Sequence, residues 1–170
     1  VKMARLEAES NDSEVITFKP EIEKRTPKLA QQERELFKAR RDSYLSGVAS
    51  QQGLVVQKEQ AIQQVRSRLS HSENKLKLLQ EQISISDELL KDELTNRYNH
   101  ITLLKDESAL FSQIDEDKAL IKGSDALLVE AQEKLNEIRL GYQANSRGEL
   151  EDSRREHSEL SKRMEKLKDS

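Results

Sequence analysis

The sequence predicts an all-α chain: a long antiparallel coiled-coil α-hairpin with a short extra N-terminal helix packed near its base. Three observations carry that expectation. Of 170 residues, 36% are charged and only 34% hydrophobic, with five glycines and two prolines, which is the profile of long helices rather than a compact globule. Val48, Val55, Ile62, Leu69, Leu76, Ile83 and Leu90 then recur at intervals of seven. A second row of the same period, Ile114, Ile121, Leu128, Leu135 and Tyr142, follows a polar break. Disorder is the alternative for so polar a chain, and the regular apolar spacing argues against it.

Taken in order, residues 1–10 read as a short helix with Met3, Leu6, Ala4 and Ala8 on one side. Asn11, Asp12 and Ser13 favour a turn. Residues 11–27 form a connection in which Val15, Ile16 and Phe18 are β-branched or aromatic and Pro20 and Pro27 punctuate, leaving at most one helical turn around Glu21–Lys24. Thr26 as the N-cap acceptor and Pro27 at the first helical position open the first long arm.

The hairpin spans 28–170 as one domain, with arms of about 28–90 and 96–169 and a tip at 91–95. In the first arm the companion row, Gln51, Lys58, Val65, Ser72, Leu79 and Ser86, is half polar, so the stripe suits one partner helix. In the second arm Leu110, Ala131 and Ile138 fill alternate rows. Leu94, Ile101, Leu104 and Phe111 extend that stripe toward the tip in a shifted register, and Leu150, Leu160, Met164 and Leu167 resume it near the end. Folding back near residue 93 brings Val48 level with about Ile138 and Ile62 with about Ser124, on a first arm roughly 95 Å long and a return arm longer by several turns. Beginning at Val1 and ending in a charged helical pattern, the sequence reads as a fragment of a longer protein.

Little chemistry is written into this pattern. Net charge is −3 with both signs interleaved, which gives no footprint for nucleic acid. No apolar run approaches the ~20 residues of a membrane span. Absence of cysteine excludes disulfides and thiolate metal sites. His71, His100 and His157 stand apart without a ligand partner one turn away, and are read as surface residues. The carboxylates alternate with Lys and Arg, as do Arg34, Lys38, Arg40 and Arg41 with Glu33 and Glu35, in the manner of solvated faces whose pKa values have no reason to move. The glycines within the arms are read mainly as local loosening. No enzyme, cofactor or metal site is expected, and the chain is expected to work by contacting other proteins.

A series of short motifs resembles the α-hairpin of HlyD-type adaptors, the periplasmic membrane fusion proteins of type I secretion systems. The series is Leu6-Glu7-Ala8-Glu9, then Ile16 and Phe18 ahead of Pro20, then Leu36-Phe37-Lys38-Ala39-Arg40, Leu78-Leu79-Gln80-Glu81, and Leu89-Leu90 entering the midpoint turn. The tip of that family often reads Leu-Leu-x-Lys-Gly-Leu-Val-Ser. Here Glu93 stands for the glycine and Asn96 for the small polar terminal residue, while Ile85 occupies a position where many relatives carry arginine.

The resemblance implies a periplasmic role in a full-length protein anchored in the inner membrane. The hairpin tip would meet a TolC-like outer-membrane channel and the base would face an inner-membrane ABC transporter. Neighbouring adaptor protomers would enclose an exported protein substrate. Leu89, Leu90, Leu94, Thr95 and Asn96 are the implied docking residues. Alternatives from the residues alone are a cytoplasmic coiled-coil dimerisation scaffold, a motor-coupled or cytoskeletal stalk and, more distantly, a metal-binding bundle.

Overall fold

A computed structural model describes residues 1–168, so Asp169, expected at the end of the second arm, lies outside the described residues. Helices α1 (Lys2–Ser10), α2 (Pro20–Arg25), α3 (Pro27–Lys91) and α4 (Arg97–Lys168) account for nearly all of them, with no strand among the described residues. The long helices pack as a hairpin. Two compact units divide the chain: one of Val1–Gly53 with Gln132–Ser170, and one of Leu54–Ala131.

In the first unit α1 packs against both long helices. Leu6 is fully buried, as is Glu9, with Ala8, Arg5 and Ser10 buried beside them. Nine residues are too few to hold a helix in water, so this packing is what keeps α1 folded. Asp12, at φ 51°, ends it: the Ser13 N–H donates to the Ala8 carbonyl (2.8 Å) and the Asp12 N–H to that of Glu9 (3.1 Å), a Schellman closure. The connection that follows holds more helix than the single turn expected, because Pro20 occupies the first position of α2 and Thr26 closes its other end.

Thr26 does not act as the side-chain acceptor that the sequence suggested for α3. Its hydroxyl and its N–H both donate to the Ile22 carbonyl, each at 2.9 Å, so the side chain finishes α2 while its carbonyl accepts the first α3 bond from Ala30 (3.0 Å). Further along this unit, Ala30 and Phe37 are buried and Tyr44 stacks on Tyr142 with ring centroids 4.1 Å apart and planes 6° from parallel. A β-carbon added at Gly47 would stand 4.0 Å from Ile138 Cγ2. That matches the expected pairing of Val48 with about Ile138. Beyond Tyr142 the buried row of α4 steps to Ser146, Leu150 and Ser153, where α1 supplies a third helix to pack against.

In the second unit, Val55, Ile62, Leu79, Ile114 and Ala131 are buried, while Leu69, Leu76, Ile83, Ile121 and Leu128 are half-buried. The polar companion row is turned inward as well: Lys58 and Ser72 are half-buried and Ser86 is buried. A two-helix pair gives each residue one neighbouring helix to cover it, so polar groups whose ends reach water are tolerated on the inner rows. The shifted register expected at the start of α4 is corrected. Leu94, Ile101, Leu104 and Phe111 are exposed, and His100, Leu103, Glu107 and Leu110 take the inward places. These four continue the heptad of Ile114 unbroken, so the pairing geometry outweighs local hydrophobicity.

Gly53, Gly123 and Gly148 meet open space where a β-carbon would go. Each replaced by alanine is expected to raise stability by about 0.5–1 kcal/mol, since helix entropy is gained without a clash. Chemical denaturation of the triple variant checks this, and no gain would show that these helical stretches are frayed before unfolding.

Candidate functional site

Within the second unit, the turn between α3 and α4 is closed by its own backbone. The Leu94 N–H donates to the Leu89 carbonyl at 2.8 Å and the Glu93 N–H to that of Leu90 at 3.2 Å, with Glu93 at φ 59°. This is a second Schellman closure, with a charged residue where glycine would be unstrained. Glu93→Gly is expected to stabilise the turn by roughly 0.5–1 kcal/mol, net of the entropy glycine adds to the unfolded chain. Hydrogen exchange of the Leu94 amide would report it as slower exchange; faster exchange would count against the assignment.

On the far side of the turn, Asn96 Oδ1 accepts the Asn99 N–H at 2.9 Å and caps α4. The five implied docking residues therefore divide by task. Asn96 is committed to the cap, and Leu90 and Thr95 are half-buried. Leu89 (38% exposed) and Leu94 (72%) remain for solvent or a partner. Tyr98, 77% exposed in the first turn of α4, was not picked out in the sequence. His100 is not a surface residue: it is half-buried, with Nδ1 3.0 Å from Ser86 Oγ.

Farther from the turn, Asp117 is 1% exposed on an inward position of α4. Arg68 Nε lies 3.1 and 3.0 Å from its two oxygens, Arg68 Nη2 lies 2.5 Å from Oδ1, and Gln113 Nε2 donates to Oδ1 at 3.1 Å.

In the first unit, a cluster of ion pairs ties α1 to both long helices. Arg5 Nη1 donates to Glu9 Oε1 at 2.8 Å and Arg5 Nε to Glu33 Oε2 at 2.5 Å. Arg40 Nη2 sits 3.3 Å from Glu9 Oε2, and its guanidinium spans both oxygens of Glu149 at 3.0 and 3.2 Å. The Ser146 hydroxyl is 3.0 Å from both Glu9 Oε2 and the Tyr142 carbonyl, and shares its one proton between these two acceptors. Arg41 reaches Asp12 Oδ1 at 2.9 Å; Arg34 pairs with Glu23 and lies over the Phe18 ring, 5.1 Å from its centroid. Arg34, Arg40 and Arg41 of the basic run read as a solvated face are therefore clamps on α1 and the connection, while Lys38 is exposed. Sequence spacing could not show this, because the partners lie on other elements.

These contacts also move pKa values that the sequence gave no reason to move. Hydrogen bonds from Arg68, opposed by burial and helped by Gln113, hold the Asp117 carboxyl below its ordinary value of 3.8. Those from Arg40 hold Glu149 below 4.5. Burial of Arg5 is outweighed by its bonds to Glu33 and Glu9, so its pKa is raised. Burial, with Glu9 nearby, pushes the Tyr142 phenol up.

A carboxylate with a depressed folded pKa contributes stability above its unfolded value and loses it as pH falls through the folded one. The melting temperature is therefore expected to fall from about pH 5 downward. In Asp117→Asn or Glu149→Gln that fall should be shallower than in the parent. Identical slopes in thermal melts at pH 3–7 would refute the linkage.

Among the described residues, no three His, Cys, Asp or Glu side chains come together as a metal site, and no helix is long and apolar enough to cross a membrane. A family model described as AprE, long alpha-helical hairpin, matches residues 1–170. Among solved structures, the chain is similar to the soluble domain of LipC, a membrane fusion protein of a type I secretion system. That match has a TM-score of 0.85 and 20% identity, over 96% of this chain and 79% of that one, a likeness of fold. No curated protein matches the sequence.

Proposed function

The chain belongs to the AprE family of long α-helical hairpins, and from that membership we propose that it is the hairpin of a periplasmic adaptor of a type I secretion system. Its tip docks on a TolC-like outer-membrane channel, and the full-length protein, anchored in the inner membrane, bridges that channel to an ABC transporter. An exported protein passes through an enclosure of neighbouring adaptor protomers. Catalysis is assigned to the transporter and none to this chain.

The observation that carries the docking assignment is the exposure of Leu89 and Leu94 around a turn that needs neither side chain to close it. The turn is closed by backbone hydrogen bonds and the Asn96 cap. Leu94, mostly in water, and Leu89, partly so, are free to be buried further against a partner, with Leu94 contributing up to about 1–2 kcal/mol when fully covered and Leu89 roughly half as much.

The test is a Leu89→Asp, Leu94→Asp double variant of the full adaptor, with helicity and melting temperature checked first. Loss of channel binding and of export in a folded variant is the expected result. Unchanged channel binding would sink the tip assignment.

A further inference from the structure

An inner row of α3 in the second unit is Val55, Ile62, Leu69, Leu76, Ile83 and Leu90, and α4 carries Ile114, Ile121 and Leu128 at the same spacing on its inner side. Every member is apolar and the spacing is uniform. Sliding one helix past the other by seven residues would leave most of these apolar side chains facing inner positions of the same kind, so their hydrophobicity alone discriminates weakly between pairings. Asp117 breaks the degeneracy. It is enclosed, and its two oxygens are satisfied by the planar fork of Arg68 and by Gln113. Moved one heptad along α3, it would face Ala61, which offers no donor, or Lys75, which offers a single ammonium in place of the fork.

We propose that Asp117 is a register lock, a buried charge that holds α3 and α4 of this unit in a single pairing because only that pairing places Arg68 over its carboxylate. Stability is given up for uniqueness. An apolar residue at this inward position would pack without desolvating a charge, yet it would leave the slipped pairings open. Half-exposed, the Arg68 side chain arches over the seam from its flank, so it is the reader of the register rather than part of the core. One consequence concerns the turn itself. A slip of a heptad moves the chain reversal by about half a heptad, which takes Leu89 and Leu94 out of the closure that now presents them.

The cysteine-free sequence allows a direct test with spin labels on cysteines introduced at Glu59 and Lys105, both exposed and outside every ion pair described above. With Ser86 opposite His100, Lys105 stands level with about Glu81, so the labels are roughly 33 Å apart along the helix axes at 1.5 Å per residue. The parent is expected to give one narrow distance distribution. Asp117→Leu is expected to raise the melting temperature and add populations displaced by about 10 Å, one heptad of rise. A single distribution unchanged from the parent would overturn the lock. Should Asp117→Leu fail to fold, Arg68→Ala, altering a half-exposed side chain, decides the matter. It should favour the pairing with Lys75 and add a component about 10 Å longer, and an unchanged distribution there overturns the proposal equally.

Discussion

Arg5→Met is expected to destabilise the first unit by about 3–5 kcal/mol, whereas Glu9→Gln, at the other end of the same bond, should cost only about 1–3 kcal/mol. The asymmetry follows from the charges in the cluster. Arg5 and Arg40 face Glu9, Glu33 and Glu149, so the group already carries one excess negative charge. Removing Arg5 leaves two, with Glu9 fully buried among them and helped by Arg40 and the Ser146 hydroxyl alone. Neutralising Glu9 balances the cluster, and Arg5 keeps Glu33 while Arg40 keeps Glu149. Urea denaturation followed by circular dichroism measures both variants. Equal costs, or a larger cost for Glu9→Gln, would mean that the excess charge is screened and the cluster acts mainly through packing.

Leu6→Ala ranks next, at about 2–5 kcal/mol, the range for a fully enclosed leucine whose cavity cannot collapse. Its effect should be local before it is global. Helix α1 has nine residues and no independent means of staying folded, so loss of its apolar anchor releases it first. Amide exchange within α1 should accelerate sharply while that of the second unit, built from residues 54–131, is unchanged. Leu78→Ala, at a side chain 64% exposed, should have little effect on either. A uniform acceleration throughout the chain would instead show α1 to be part of one cooperative block.

The sequence was most informative where a single helix face decides the outcome. Seven apolar residues at heptad spacing can bury together only on one stripe of a helix, so α3, α4 and their approximate pairing were legible; the Gly47–Ile138 approach lies where folding near residue 93 would place it. The start of α4 was misread because Leu94, Ile101, Leu104 and Phe111 are individually more apolar than His100 and Glu107. Local hydrophobicity pointed one way, while continuity of the heptad through Ile114 pointed the other and prevailed. Thr26 shows the same limit on a smaller scale. A hydroxyl between two helices can serve either, and the position of the Ile22 carbonyl settled which.

By itself, then, the sequence determined the all-α class, the two long arms, the polar reversal between them and the likeness to secretion adaptors, since periodicity and motif order are properties of the chain alone. Tertiary structure decided which charges are structural. Glu9 and Asp117 look like any other carboxylates on mixed-charge helices, and nothing local distinguishes them from solvated ones. Arg5 stands one turn from Glu9 on the same helix, but Arg40 and Arg68 are brought by helices many residues away, and a buried carboxylate is tolerable only where such partners meet it.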